Sequence, residues 1–461
     1  MSEGTRTGSG SAVHSRRGLI VGLLLCVVAI AFEAMAVLTA MPAAAADLGD
    51  LDLYAWAFTA FMIAQTFAIV AAGQFSDRFG PKPPLVVGFV VFAAGLVVAA
   101  LAPNMLVLLA ARFVQGLGGG TMNLAVMVLV ARVFDERERA DMLTGFSAAW
   151  MVPSFVGPPV AAWLSEYLSW HWVFWSVLPL MAIAGALILR PLQRAELLPH
   201  ADVPAAGRRQ LVWAALVAAG AAGLQLAGQR IEPWSLAWLA AGLALLLWGL
   251  PPLLPAGFRP AGAGLPSVIV VRALTAGTFF GAQTFLPLLL VQAEGLPLGW
   301  AGAIMTIGSA GWMLGAWLQS RSWLRLRRDQ IIVAGAASTA LGVLATTAAG
   351  WLPGRLLALV VLGWVLAGLG MGLSVASTSL AVFQLSEPVA FGRNTSSLQV
   401  GEALGNSIAA GLAGTVFAFG ISQGDQTLGF GGLLTAMSLV AVLGVLSALR
   451  IGPVQNHSVR L

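Results

Sequence analysis

Polar residues in this chain gather in short clusters that separate fourteen long apolar runs. The runs lie at roughly 18–40, 53–75, 85–102, 105–132, 142–165, 172–190, 211–229, 234–255, 267–291, 298–320, 331–350, 355–383, 394–419 and 428–450. About 20 apolar residues in a helix reach across a hydrocarbon core of about 30 Å. Strands of a membrane barrel would alternate polar and apolar over about ten residues, and these runs do not. The pattern predicts an all-α membrane protein with 14 transmembrane helices and both termini on one side. Composition agrees: 59% of the 461 residues are hydrophobic, 9% are charged, and the mean hydropathy is +0.88. A soluble domain carries about a quarter charged residues.

Charge orients the predicted helices. Of 24 basic residues, Arg112 and Arg272 fall inside runs and only Arg230 and Arg355 lie in loops on the side away from the termini. All the others, from Arg6 to Arg460, lie on the side of the termini, which the positive-inside rule makes cytoplasmic. The pI near 10.5 follows from those loops and requires no nucleic acid. Lys82 is the only lysine, and this arginine-rich, Ala/Gly/Leu-rich composition suggests a GC-rich bacterial genome, so the expected location is a bacterial plasma (inner) membrane. No cleavage site follows the first run, so it reads as a retained span. A single cysteine, Cys26, excludes an intramolecular disulfide and makes a thiol metal site implausible. With no phosphate-binding loop, metal cluster or nucleophile–base set, the chain reads as a non-enzyme without cofactor.

The chain also repeats itself. Gln115-Gly116-Leu117-Gly118-Gly119-Gly120 in the fourth run returns as Ala367-Gly368-Leu369-Gly370-Met371-Gly372 in the twelfth, and Gly73 returns as Gly315. Two related six-helix halves are expected, 18–190 and 267–450. Between them, 191–266 holds a linker and an extra transmembrane hairpin. The basic N-terminus, 1–17, is expected to be disordered, and 451–461 forms a cytoplasmic tail.

Four segments carry a family resemblance. Gly73-Gln74-Phe75-Ser76-Asp77-Arg78-Phe79-Gly80-Pro81-Lys82 resembles the G-x-x-x-D-R-x-G-R-K signature of the major facilitator superfamily, with Pro81 at a usually basic place. Arg112-Phe113-Val114-Gln115-Gly116-Leu117-Gly118 resembles the R-x-x-Q-G-x-G element of proton-coupled members. The segment Pro153 to Ala162, containing Gly157-Pro158, resembles the antiporter motif G-x-x-x-G-P-x-x-G-G, with Pro153, Ala161 and Ala162 replacing its outer glycines. Trp170-His171-Trp172-Val173-Phe174 resembles W-R-W-x-F, with His171 for Arg. In this order, and with the central hairpin, they resemble the fourteen-span drug:proton antiporter family over the whole chain. The resemblance implies a major facilitator fold of two six-helix bundles. It also implies multidrug efflux by alternating access, driven by the proton motive force and conferring antibiotic resistance. The loop of Gly73, Asp77, Arg78, Gly80 and Lys82 would gate the cytoplasmic side. The second-half copy, Gly315 to Arg328, lacks the acid.

Charges inside spans are costly and functional by default. At about 1.5 Å per residue, Glu33 lies about 12 Å and Arg112 about 10 Å below the outer surface, so the two can meet. Burial and a neighbouring guanidinium act on such a carboxyl in opposite senses, which suits a group that loads and releases a proton. Glu33 also matches the acidic place of the family's first-span motif. Glu33, Arg112 and Glu402 are therefore the candidate proton-coupling residues, a structural Glu–Arg pair being the alternative for the first two. Glu402 reads equally as a second proton site, a cation contact or a neutral hydrogen-bonding group. Arg272, near the start of its run, is expected to snorkel to the surface. Met35, Asn123, Trp150, Phe155, Gln283 and Trp312 are candidates for the substrate cavity. The expected partners are a small amphipathic or hydrophobic substrate, often cationic and favoured as a cation where Glu33 or Glu402 lacks a proton, together with protons and membrane lipids, the protein acting as a monomer. Sodium coupling stays open, because carboxylates bind either ion. An exporter of a lipid or of a self-made natural product is the rival reading, and a membrane sensor or scaffold a distant one.

Overall fold

The computed structural model describes residues 8–454 except 135, 195–207, 230–232, 256, 322, 353 and 388–390. Among the described residues the chain forms fourteen α-helices and no strand. The first six are α1 (Gly8–Leu48), α2 (Trp56–Phe79), α3 (Lys82–Ala100), α4 (Met105–Val133), α5 (Glu136–Tyr167) and α6 (His171–Arg194). Next come α7 (Arg208–Gln229) and α8 (Pro233–Gly249). The last six are α9 (Leu265–Gln292), α10 (Leu298–Gln319), α11 (Arg328–Trp351), α12 (Leu357–Leu385), α13 (Phe391–Ser422) and α14 (Gln426–Ala448). Thirteen are long and apolar enough to cross a membrane; α5 falls outside that count. Its first turn carries Glu136, Arg137, Glu138 and Arg139, and Pro153, Pro158 and Pro159 lie inside it.

Local chemistry sets several boundaries. Asn104 and Asp425 accept hydrogen bonds from Val107 N and Leu428 N, capping α4 and α14. Gly80, at φ 80°, ends α2 in a backbone region open to glycine. Two expectations need correction. The first helix does not stop near Met41 but passes through Pro42 to Leu48, carried by the helix-forming Ala43–Ala46. Residues 8–17 continue α1 as helix instead of being disordered; residues 1–7 and the linker 195–207 lie outside the described residues.

The packing scheme is used twice. In the first six helices, α1 packs on α5 and α6, α4 packs on α2 and α3, and α3 meets α6. In the last six, α9 packs on α13 and α14, α12 packs on α10 and α11, and α11 meets α14. The repeated glycines explain the tight pairs. A Cβ on Gly116 or Gly120 would collide with backbone of α2 at Phe61 and Gln65, and one on Gly118 with α3 at Phe92. Their counterparts Gly368 and Gly372 abut α10 at Gly308 and Trp312, and Gly370 abuts α11 at Gly335. One face of each central helix thus rests on one neighbour, while the intervening glycine rests on the other.

The six-helix groups meet where α5 lies on α10 and α2 lies on α13, with α1 touching α9 between. Helix α7 pairs with α8 and packs on both α2 and α13, so the hairpin covers that seam.

Candidate functional site

Arg112 is the hub of the first cluster. Seven residues into α4, it is 3% exposed, and Glu33 on α1 is fully buried. Its Nη1 donates to the Glu33 carboxylate and to Gln115 Oε1, and its Nε donates to the Ala57 carbonyl at 2.9 Å. The guanidinium also lies 4.5 Å from the Phe61 ring centroid. One side chain therefore ties α1, α2 and α4 together, and the depth match read from the sequence is realised as contact. Glu33 Oε2 has no partner, so the carboxylate keeps one oxygen able to take a proton.

A second cluster occupies the last six helices. Arg272 Nη2 donates to Glu402 Oε2 at 2.8 Å, and Nη1 donates to Thr378 Oγ1 at 2.8 Å and to the Val375 carbonyl. This corrects the expectation that Arg272 snorkels: its side chain is 9% exposed and links α9 to α12 and α13. Glu402, 23% exposed, is the more accessible partner. Depth along a helix can be counted from the sequence, but the face of α9 that Arg272 occupies cannot, and its partners depend on that face.

The antiporter-like segment lies in the seam between the halves. Proline has no N–H, so Pro159 leaves the Phe155 carbonyl without its helical donor. Thr306 on α10 lies across the seam, its Oγ1 3.3 Å from that oxygen. A Cβ on Gly302 would meet the Pro158 carbonyl. Gly157 lets Met35 approach: a Cβ there would stand 3.1 Å from Met35 Cβ. Pro153 is buried in the same helix. Thr306 was missed because the motif concerns one helix and its partner comes from another.

The same end, opposite the basic loops, is closed by further contacts. Tyr54, buried beyond α1, donates its hydroxyl to the Thr284 carbonyl of α9 at 3.0 Å. Its ring packs on Phe285 at 5.3 Å, and Phe285 packs on Phe417 at 5.0 Å. Glu166 Oε1 accepts from Gly299 N, at the start of α10, at 2.7 Å. Trp170 Nε1 donates to Asp47 at 2.9 Å and stacks on His171, joining the start of α6 to the end of α1.

At the basic end, Gly73 faces Leu124 of α4, Arg78 lies exposed 5.1 Å from the Phe79 ring centroid, and Lys82 opens α3. Asp77 sits in the last turns of α2, its side chain outside the described residues. In the second half the place matching Asp77 is Gln319, and just beyond the loop Asp329 binds Arg327 and accepts from Val454 N at 3.0 Å, fastening the segment after α14.

The cavity candidates differ in exposure. Asn123 and Trp150 are exposed, Phe155 and Met35 are half-buried in helix contacts, and Gln283 is buried with Oε1 unpartnered. Trp312 joins an aromatic group with Phe279, 5.5 Å away, which stacks on Trp364 at 4.8 Å.

Residues 23–410 match the sequence model of the Major Facilitator Superfamily. The chain belongs to that superfamily. It is accordingly a multi-pass membrane transporter, not an enzyme. The transporter is similar to the multidrug transporter protein MdtP of Bacillus subtilis (strain 168), 28% identical over 412 residues, covering 86% of this chain and 74% of the relative. It resembles multidrug resistance protein 3 of the same organism at 31% identity over 176 residues, 38% of this chain and 34% of the relative. An acurin A biosynthesis cluster MFS-type transporter of Aspergillus aculeatus is 32% identical over 171 residues, 37% of this chain and 30% of the relative. These last two alignments span about a third of each relative. Among solved structures, an auto-inhibited POT family peptide transporter superposes with a TM-score of 0.67 at 18% identity, covering 95% of this chain and 98% of that one. The human organic anion transporter MFSD10 gives 0.61 at 17%, covering 94% and 99%. Identities this low speak for the fold alone.

Proposed function

We propose that the transporter exports amphipathic compounds in exchange for protons, from a bacterial plasma membrane, with its basic loops and both termini in the cytoplasm. The observation that carries this reading is the Glu33–Arg112 pair. A carboxylate wholly buried among spanning helices is costly to keep. Here it is held by a guanidinium that also fastens α2 and leaves one carboxylate oxygen free. Protonation of Glu33 discharges the pair and frees Arg112 to re-form its contacts, a local event that can bias two arrangements of the helices around it. Arg272–Glu402 supplies a second such pair in the other half, and α5, with three prolines inside it, lies on α10 and supplies a seam about which the halves can rock. Asp77 and Arg78 are assigned the cytoplasmic gate. The similarity to MdtP favours a broad substrate range. That to the acurin A cluster transporter favours, as the second reading, export of a natural product made by the cell itself.

The test is purified transporter in liposomes holding a pH-sensitive dye, given a gradient of an amphipathic probe. Probe-driven proton movement is expected for the wild type and not for Glu33→Gln, with both proteins eluting as intact monomers. Coupling that survives in the variant removes Glu33 from the mechanism.

A further inference from the structure

Resting on the reading that the two six-helix groups rock against each other, we propose that the α7–α8 hairpin is a moving seal that belongs to the second group. It travels with α13 and slides over α2, keeping one seam covered while the transporter alternates. Helix α7 packs on both α2 and α13, so the extent of contact does not decide which it follows. The chemistry of its two faces does.

Toward α13 the hairpin is interlocked by reciprocal notches. Gln225 on α7 is 4% exposed, and its Oε1 fills the space where a Cβ on Gly411 of α13 would stand. Thr415 on α13 returns the contact. Its hydroxyl, which donates to the Gly411 carbonyl at 2.9 Å, fills the space where a Cβ on Gly228 of α7 would stand. Closer to the basic end, Val217 of α7 and Leu246 of α8 cluster with Val400 and Leu404 of α13. Beyond α8, the Leu253 carbonyl accepts from Ser397 Oγ of α13 at 3.0 Å, and Leu254 is buried with Val268 of α9 and Leu398 of α13. The hairpin is thus fastened to α13 at several levels and runs on, still held, into α9.

Toward α2 the apolar group is Ile63 and Phe67 against Ala218, Ala221 and Ala222. A row of methyl groups has no notch to hold a neighbour in register. The cost of parting differs in the same sense. Drawing α7 off α13 would turn the Gln225 amide, whose Oε1 already lacks a partner, toward hydrocarbon, where a polar group finds neither water nor donor. Drawing it along α2 uncovers alanine, isoleucine and phenylalanine, for which lipid tails are an equivalent neighbour. The interface that is costly to open stays closed, and the neutral one moves.

Three exposed positions near the basic end report the motion: Val87 on α3, Leu247 on α8 and Leu446 on α14. Val87→Cys, Leu247→Cys and Leu446→Cys are combined in pairs in a Cys26→Ala background, spin-labelled, and measured by pulsed electron resonance in liposomes. Conditions are pH 5 and pH 9, each with and without ethidium. The Val87–Leu446 distance records rocking of the two groups and should change between conditions. The Val87–Leu247 distance should change with it, while Leu247–Leu446 keeps one unshifted peak. A Leu247–Leu446 peak that shifts overturns the proposal and leaves alternation standing, whether or not Val87–Leu247 shifts too. A Val87–Leu446 distance fixed under all conditions overturns rocking and the proposal together. Gly228→Val, which drives methyl groups into Thr415, should broaden the Leu247–Leu446 peak, and an unbroadened peak removes the notches from the argument. Should that variant fail to reach the membrane, the three pairs in the otherwise unaltered chain still decide.

Discussion

Arg112 offers the sharpest energetic test of the buried pair. Replacing it with Met keeps an apolar stem but removes the partner of Glu33, the donor to Ala57 and the donor to Gln115. Removing one member of a buried ion pair costs about 3–5 kcal/mol, because the other charge is left uncompensated. Loss of the contact with the Phe61 ring adds about 0.5–2 kcal/mol. Much of the first figure belongs to Glu33, so Glu33→Gln in the same chain should recover it in part. A double-mutant cycle should therefore report a coupling of about 2–3 kcal/mol between the two positions, within the range seen for contacting residues. Arg112→Lys keeps the charge but loses the fork that reaches three acceptors at once, and should fall between wild type and Met. The assay is reversible unfolding in mixed detergent–SDS micelles, followed by fluorescence of the 16 tryptophans. A coupling below about 0.5 kcal/mol, the level at which distant sites simply add, would refute the claim that the pair organises the cluster.

Four other outcomes are expected. Tyr54→Phe removes the hydroxyl that reaches the Thr284 carbonyl. Loss of about 1 kcal/mol should shift the balance about fivefold toward opening at that end, measured as the labelling rate of a cysteine placed in the cavity in a Cys26→Ala background. Gly372→Ala pushes a methyl group into the Trp312 carbonyl and should cost about 1–3 kcal/mol. Gly18→Ala, inside α1 and meeting nothing within 4 Å, should instead stabilise by up to about 1 kcal/mol in the same unfolding assay. Asp77→Asn should slow turnover with near-normal probe affinity, and unchanged turnover would count against the gate.

How much of this could be read beforehand depended on whether one helix sufficed. Fourteen helices follow from fourteen apolar runs because length and hydropathy belong to a single segment. Glu33 and Arg112 were matched because depth along a helix is countable and the two depths agreed. Depth says nothing about which face a residue occupies, so Arg272 was sent to the surface when three helices in fact enclose it. Pro159 marks the loss of a backbone donor, but the hydroxyl that answers it, Thr306, is 151 residues away. The end of α1 is hidden for another reason: the apolar run thins near residue 40, yet the helix continues through Pro42 and the alanines after it.

The glycines of α4 and α12 have a mechanical consequence. Where backbone rests on backbone, no side chain can change rotamer to absorb a shear, so α2, α3 and α4 form one stiff plate and α10, α11 and α12 another. Relative motion of the two plates falls on the lines where the halves meet, α2 against α13 and α5, with its three internal prolines, against α10. A displacement of either plate is therefore felt along those two lines and not within the plate.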